Sequence, residues 1–267
     1  MRPSAIKAKL TRGEPALLTQ LHLTDPSVFE LTSLMGFDGI WMDLEHHTYS
    51  LETAAGLMRA ARVGGAEIMA RPAKGEFARI SRLLEAGAHS IMYPRCDDAA
   101  EAARVVQWAK FPPLGRRGFD GAGPDVPYAG MKMGDYIEAA NRETFMVIQI
   151  EDEQAVEQAA AIAEVPGVDV LFFGPADFSI LSGFAGQFEH PRAAEAMKKV
   201  AAAARQAGKW WGTSCPTVEM ARRVMDMGGT LICHAADIIF VKQGLEHVQQ
   251  KFAPLGFKFK NQLPDAG

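Results

Sequence analysis

Short apolar runs recur along the chain, each followed by charged or turn-forming residues and separated from the next by alanine- and leucine-rich stretches of helical periodicity. They predict strands at residues 16–23, 39–43, 67–71, 90–93, 147–150, 170–173, 210–213 and 230–234. The intervening pattern predicts helices near residues 5–10, 26–35, 51–62, 76–86, 98–110, 133–141, 152–164, 191–206, 217–227 and 237–250. Several helix starts are chemically marked: Asp25 precedes Pro26, and Ser50, Asp97 and Asp152 stand where a side-chain oxygen can cap the first turn. Eight strands alternating with helices favour a closed α/β fold, the (β/α)8 TIM barrel, as one domain over residues 1–267. An open doubly wound sheet is second, weakened because no G-x-G-x-x-G follows the first strand. The Gly- and Pro-rich stretch at residues 111–128 breaks the rhythm and reads as a functional loop or a mobile linker.

The polar residues at the strand ends change the picture. Val147-Ile148-Gln149-Ile150 delivers Glu151, and Val170-Leu171-Phe172-Phe173 delivers Gly174-Pro175-Ala176-Asp177. A helical crossover between two strands makes them parallel, so their carboxyl ends share one edge of the sheet. In a barrel that edge is the mouth, which would collect Glu45, His46, Arg71, Gln149, Glu151 and Asp177. Two facing carboxylates suit a hard cation such as Mg²⁺ or Mn²⁺, with Co²⁺ a further candidate. The plainer alternative is that they cap the helices that follow. His46 is a candidate general base, oriented by Asp43 or Glu85, although adjacent His47 leaves open which imidazole faces the mouth and which packs. The planar fork of Arg71 could hold a carboxylate through two hydrogen bonds, or form an ordinary ion pair with Glu45.

Composition narrows the partners. A net charge of −4 with acids and bases interspersed gives no basic surface for nucleic acid or an anionic membrane. No run is long and apolar enough to span a bilayer, and the first fifteen residues lack a signal-peptide core. Cys96, Cys215 and Cys233 are odd in number and scattered, which argues against a disulfide framework and points to a reducing, cytoplasmic setting. Schiff-base chemistry needs a lysine at a strand end, and only Lys74 comes close, already beyond Pro72. Gly228-Gly229 precedes the last strand, the wrong end for a barrel phosphate site. Cys215 follows the seventh strand without an evident partner that would make it a nucleophile.

The blocks GFDGIWMDLEHHTYS, FPPLGRRG, VIQIED and GVDVLFFGPADFSILSG, together with the segment from Ala70 through LLEAGAHSIMYPRCDD, resemble the HpcH/HpaI family of metal-dependent pyruvate aldolases. The resemblance covers residues 21–244 and implies a barrel whose last helix is exchanged with a neighbouring subunit, in a homo-oligomer built as a trimer of dimers. It implies Glu151 and Asp177 as ligands of a divalent cation, with no organic cofactor, and His46 as the catalytic base. It further implies Arg71 as the clamp on a 2-oxo acid carboxylate, with Gln149 and the backbone of Gly174, Pro175 and Ala176 lining the donor site. Glu85 stands where relatives have an acid that supports the histidine from an adjoining subunit. The implied reaction joins or cleaves a small 2-oxo acid and an aldehyde.

Residues 117–125 depart from the serine- and arginine-containing segment that many relatives carry after RG, and this leaves acceptor recognition open. Where relatives often have an apolar residue near the donor methyl, this chain has Ser214, which suggests hydroxypyruvate as a donor besides pyruvate. His234, another polar intruder, either touches substrate or packs. Two other readings remain: a lyase for malyl- or citryl-CoA thioesters, which needs a basic pantetheine groove, and a silent barrel that senses an oxo acid.

Overall fold

The computed structural model describes residues 2–263. Eight parallel strands close into a barrel in chain order: β1 (Ala16–Leu21), β2 (Gly39–Asp43), β3 (Glu67–Arg71), β4 (Ser90–Tyr93), β5 (Phe145–Ile150), β6 (Val170–Phe173), β7 (Trp210–Ser214) and β8 (Leu231–Ala236). β8 pairs back onto β1, so the open-sheet alternative is excluded. The helices are α1 (Ala5–Thr11), α2 (Pro26–Leu34), α3 (Leu51–Ala61), α4 (Phe77–Ala86), α5 (Ala99–Ala109), α6 (Met133–Glu143), α7 (Glu153–Ala163), α8 (Pro175–Leu181), α9 (Pro191–Gln206), α10 (Val218–Asp226) and α11 (Asp237–Phe252). Among the described residues no helix is long and apolar enough to cross a membrane.

The period-two alternation of the strands divides the core in two. Leu18, Trp41, Met69, Met92, Val147, Phe172, Leu231 and Cys233 form the inner cluster, whereas Leu21, Ile40, Met42, Ile68, Ile91, Ile148 and Phe173 belong to the layer beneath the helices. Ile6 and Leu10 of α1 join the inner cluster and plug the amino-terminal end of the barrel. Buried Glu67 anchors that plug, accepting from Ser4 Oγ at 2.8 Å, from Ile6 N at 3.3 Å and from Ala5 N. With one end stoppered, the inward positions that remain free lie at the other, where Asp43 and Arg71 end β2 and β3 in register with each other.

Three local expectations are corrected. Asp98, not Asp97, caps α5 through a 2.8 Å bond to Glu101 N; Asp97 instead pairs with Lys74 at 2.6 Å. The seven-residue helix α8 follows β6 directly, starting on Pro175 at its first position, where the apolar pattern alone suggests only a connection. Residues 111–128 are not a linker: Phe111 and Val126 pack with Tyr136 and Ala140 of α6 in a small core of their own. Beside it Arg117 pairs with Asp125 at 2.8 Å, lies 5.0 Å above the Phe111 ring, and Asp125 also accepts from Tyr136 Oη.

α11 follows β8 at the barrel's end and leaves most of its apolar side chains uncovered. Only Asp237 at its start is buried, accepting from His22 N and Leu23 N, while Ile238, Phe240, Val241, Leu245, Val248 and Phe252 all stand exposed.

Candidate active site

The mouth cavity is lined by Asp43, His46, Arg71, Gln149, Glu151, Gly174, Pro175, Ala176, Asp177 and Ser214, ten of the eleven residues given a catalytic, binding or metal role from the sequence; Glu45, also expected at the mouth, does not line it but pairs with Arg71 at 3.2 Å. Glu85 is the eleventh. It sits near the end of α4, where its nearest charged neighbours are Arg82 at 3.9 Å, Arg117 and Asp125 in the packed loop. Its own barrel therefore does not carry it to His46.

Barrel geometry explains the convergence. Gln149 and Glu151 continue the inward phase of Val147 along β5, and Arg71 continues that of Met69 along β3. Glu151 is 1% exposed and does not cap the next helix, a task performed by Asp152 through a 2.7 Å bond to Ala155 N. Its Oε2 accepts from Arg95 N at 3.0 Å, and its Oε1 fills the space beside Gly174, where a Cβ would stand only 2.3 Å away. Gly174 is thus the cradle that admits the carboxylate. Asp177 lies in the first turn of α8 and makes no cap bond there. Burial pushes the Glu151 carboxyl up to about 8, Arg71 opposing and Asp177 and Glu45 reinforcing.

This donor set fits a hard divalent cation. A nearly sealed carboxyl and a second carboxylate in the same cavity, with Glu45 beside them, would together carry, once ionised, more negative charge than the Arg71 guanidinium offsets, a charge that a divalent cation balances. No group of three or more His, Cys, Asp or Glu among the described residues forms a complete cage. The protein would then supply Glu151 and Asp177, leaving other coordination positions to water and substrate oxygens.

Arg71, 5% exposed, reaches Asp43 through Nε at 3.0 Å and Nη2 at 2.7 Å, Glu45 through Nε at 3.2 Å and Gln149 Oε1 through Nη1 at 3.3 Å. A guanidinium has five N–H donors, so these contacts leave one on each terminal nitrogen for a further acceptor such as a carboxylate. The ion pair with Glu45 and a free clamp therefore coexist. Burial works against ionised Asp43, but the hydrogen bonds and charge of Arg71 hold it below the usual carboxylate range. The guanidinium lies 4.7 Å above the Trp41 ring, which itself meets Phe172 edge-on at 5.8 Å. Trp41 lines the mouth, and Phe172 packs beneath it in the inner core.

Both histidines line the cavity, in different settings. His46 is exposed, with Nε2 3.7 Å from Glu45 Oε2. Asp43 does not reach its ring; it accepts from the His46 backbone N at 3.4 Å and stands 3.9 Å from His47 Nε2. His47 stacks on His22 at 4.0 Å. Gln20, His22 and Trp41 are lining residues that strand-end reading misses. Trp41 shares the inward phase of Asp43, and Gln20 that of Leu18, so alternation could have found both.

Alternative chemistries find no support. Among the described residues no lysine lines the mouth. Lys74 is held by Arg95 O at 2.5 Å, Asp97 and Glu101. Lys110, lowered to about 8 by burial, instead donates to Asn141 O, Thr144 O and Thr144 Oγ1. All three cysteines are buried and free, and burial pushes the Cys215 thiol up to about 11.

Comparison with known proteins places the chain in a family. Residues 18–241 match the family model described as HpcH/HpaI aldolase/citrate lyase. A hydroxypyruvate/pyruvate aldolase of Delftia acidovorans is 32% identical over 89% of this chain and 88% of its own. A 4-hydroxy-2-oxo-heptane-1,7-dioate aldolase of Salmonella dublin is 30% identical over 93% of this chain and 94% of its own. The crystal structure of an HpcH/HpaI aldolase/citrate lyase family protein from Burkholderia cenocepacia superposes with a TM-score of 0.87 at 30% identity, covering 94% of this chain and 99% of that one. The chain belongs to the HpcH/HpaI aldolase/citrate lyase family.

Proposed function

We propose that this family member is a divalent-metal-dependent 2-oxo acid aldolase, a carbon–carbon lyase that cleaves or forms 4-hydroxy-2-oxo acids. The carrying observation is the Glu151 and Asp177 pair beside the Arg71 guanidinium, in a cavity where no described residue is a lysine. Relatives named as aldolases for pyruvate, hydroxypyruvate and a 4-hydroxy-2-oxo diacid support it. Glu151 and Asp177 would hold Mg²⁺ or Mn²⁺, which when bound supplies Lewis acidity toward the developing negative charge of an enolate oxygen. Arg71 binds the substrate carboxylate, with the Gln149 amide and the backbone of Gly174 to Ala176 along the same wall. In the cleavage direction His46 takes the 4-hydroxyl proton. The C3–C4 bond then breaks, its electron pair forms the 2-oxo acid enolate, and an aldehyde leaves. Ser214 lines the donor side and offers a hydrogen bond to the 3-hydroxyl of hydroxypyruvate.

The exposed apolar side chains of α11 support a homo-oligomer in which this helix covers a neighbouring copy, and a trimer of dimers is the assembly that the resemblance implies. Glu85 would act on His46 only across such an interface. A CoA-thioester lyase is less well supported, because among the described residues Arg71 is the sole basic residue other than histidine lining the mouth. The test is proton exchange of pyruvate in deuterated water, followed by NMR. Loss of the methyl signal that requires Mn²⁺ and disappears in His46→Ala supports the aldolase; no exchange with any divalent ion, or exchange untouched by the substitution, overturns the proposed chemistry.

A further inference from the structure

The mouth cavity opens sideways into a second one. Gln20, His22, Trp41, Pro175, Ala176 and Ser214 line both, and the second, of about 360 Å³, extends past the ends of β7 and β8 to the start of α11. Among the described residues that line it, none is Asp, Glu, Lys or Arg. Its polar groups are amides, a hydroxyl and imidazoles, set among Trp41, Phe188, Pro216 and Ile239.

The polar groups are placed by the fold. The β1–β8 register shifts between Leu18 and Gln20, and Ala235 takes a φ of 55°, a left-handed conformation rare for a residue with a side chain. Regular alternation after inward Cys233 would turn His234 toward the helices, yet with this irregularity His234 lines the cavity. Its Nδ1 lies 2.7 Å from the Cys215 carbonyl oxygen. A carbonyl only accepts, so Nδ1 carries the proton and Nε2 is left as the ring atom for a ligand. Gln20 gives its amide nitrogen to Asp43 at 3.1 Å, which leaves its carbonyl oxygen as an acceptor. Burial, reinforced by neighbouring His47, lowers the pKa of His22 and favours its uncharged form.

We propose that this second cavity is the acceptor subsite, and that it takes an uncharged hydroxylated aldehyde in preference to one ending in a carboxylate. The inference rests on the aldolase reading above. A carboxylate tail would enter a cavity with no cation to meet it and would lose its hydration. A hydroxylated chain satisfies the acceptors of Gln20 and His234, while its carbons lie against the apolar wall. A site built to bond a hydroxyl also discriminates against a chain without one, because its own polar groups are then left unpaired.

The experiment holds pyruvate and Mn²⁺ fixed and compares kcat/KM for glyceraldehyde, propanal and succinic semialdehyde. Glyceraldehyde is expected to exceed succinic semialdehyde by at least about tenfold. His234→Leu is expected to lower the glyceraldehyde-to-propanal ratio about fivefold, the worth of one neutral hydrogen bond. His234→Gln, which keeps an acceptor, should restore most of that ratio. A preference for succinic semialdehyde, or a His234→Leu loss equal for all three aldehydes, overturns the inference while leaving the aldolase intact. Absence of pyruvate methyl exchange in the wild-type protein removes the aldolase reading, and this inference falls with it.

Discussion

Gly174→Ala tests the cradle most directly. A Cβ at this position would stand 2.3 Å from Glu151 Oε1, 2.6 Å from its Cγ and 2.8 Å from its Cδ. Ordinary contact begins near 3.4 Å, so Oε1 must retreat by 3.4 − 2.3 = 1.1 Å. It cannot swing into solvent, being 1% exposed and tied through Oε2 to Arg95 N. If Gly174 yields instead, it carries the start of α8 and hence Asp177 with it. Either way the two carboxylates change their separation by about 1 Å, a misplacement that costs roughly 10²-fold in rate, or about 2.7 kcal/mol of transition-state stabilisation. Mn²⁺ affinity by calorimetry and pyruvate methyl exchange by NMR are both expected to fall, with the far-ultraviolet circular dichroism spectrum retained. Gly56→Ala is the control: it lies on the exposed face of α3 with nothing within 4 Å of the added Cβ, and should leave exchange unchanged while stabilising by up to about 1 kcal/mol. Mn²⁺ affinity and exchange within twofold of wild type in Gly174→Ala would refute the cradle.

Other expectations follow from the same contacts. Arg71→Met leaves Asp43 buried without its cation and should cost about 3–5 kcal/mol in urea unfolding, while Arg71→Lys keeps charge but loses the fork and should chiefly raise the KM for pyruvate. His46→Ala should reduce methyl exchange by about 10²–10⁴-fold, whereas His47→Ala, which removes the stacking partner of His22, should cost no more than about tenfold; the reverse order would exchange their roles. Burial pushes Glu67 up to about 7 from its ordinary 4.5, so the folded state binds more protons than the unfolded state between these values. Its contribution is complete below about pH 4.5 and lost as pH rises through about 7, on the order of 3 kcal/mol, and Glu67→Gln should flatten this part of the urea-unfolding profile.

Much of the architecture is legible along the chain because strands and helices announce themselves locally. The β3 and β6 ranges agree residue for residue with the apolar runs, and Asp25, Ser50 and Asp152 cap where their side chains allow. Short elements fare worse. The run Pro175–Leu181 is too brief to show a helical period, and of the neighbours Asp97 and Asp98 either suits a cap until Lys74 claims the first. The loop at residues 111–128 looks extended in composition, and its fixity comes from Tyr136 and Ala140 beyond it in sequence.

The sequence by itself determined that eight strands end in polar residues and that Glu151 and Asp177 belong to one edge, since a helical crossover between parallel strands permits nothing else. Only the tertiary structure decided that Gly174 makes room for Glu151, that Arg71 keeps its outer fork free while bonding Asp43, Glu45 and Gln149, and that Asp43 meets the backbone rather than the ring of His46. It also decided that Glu85 lies away from the mouth of its own barrel and that His234 turns into a cavity without charged lining residues. Propensity and periodicity act over a few neighbouring residues. Closure of the barrel fixes contacts between strands far apart in the chain, and those contacts set which side chains share the mouth.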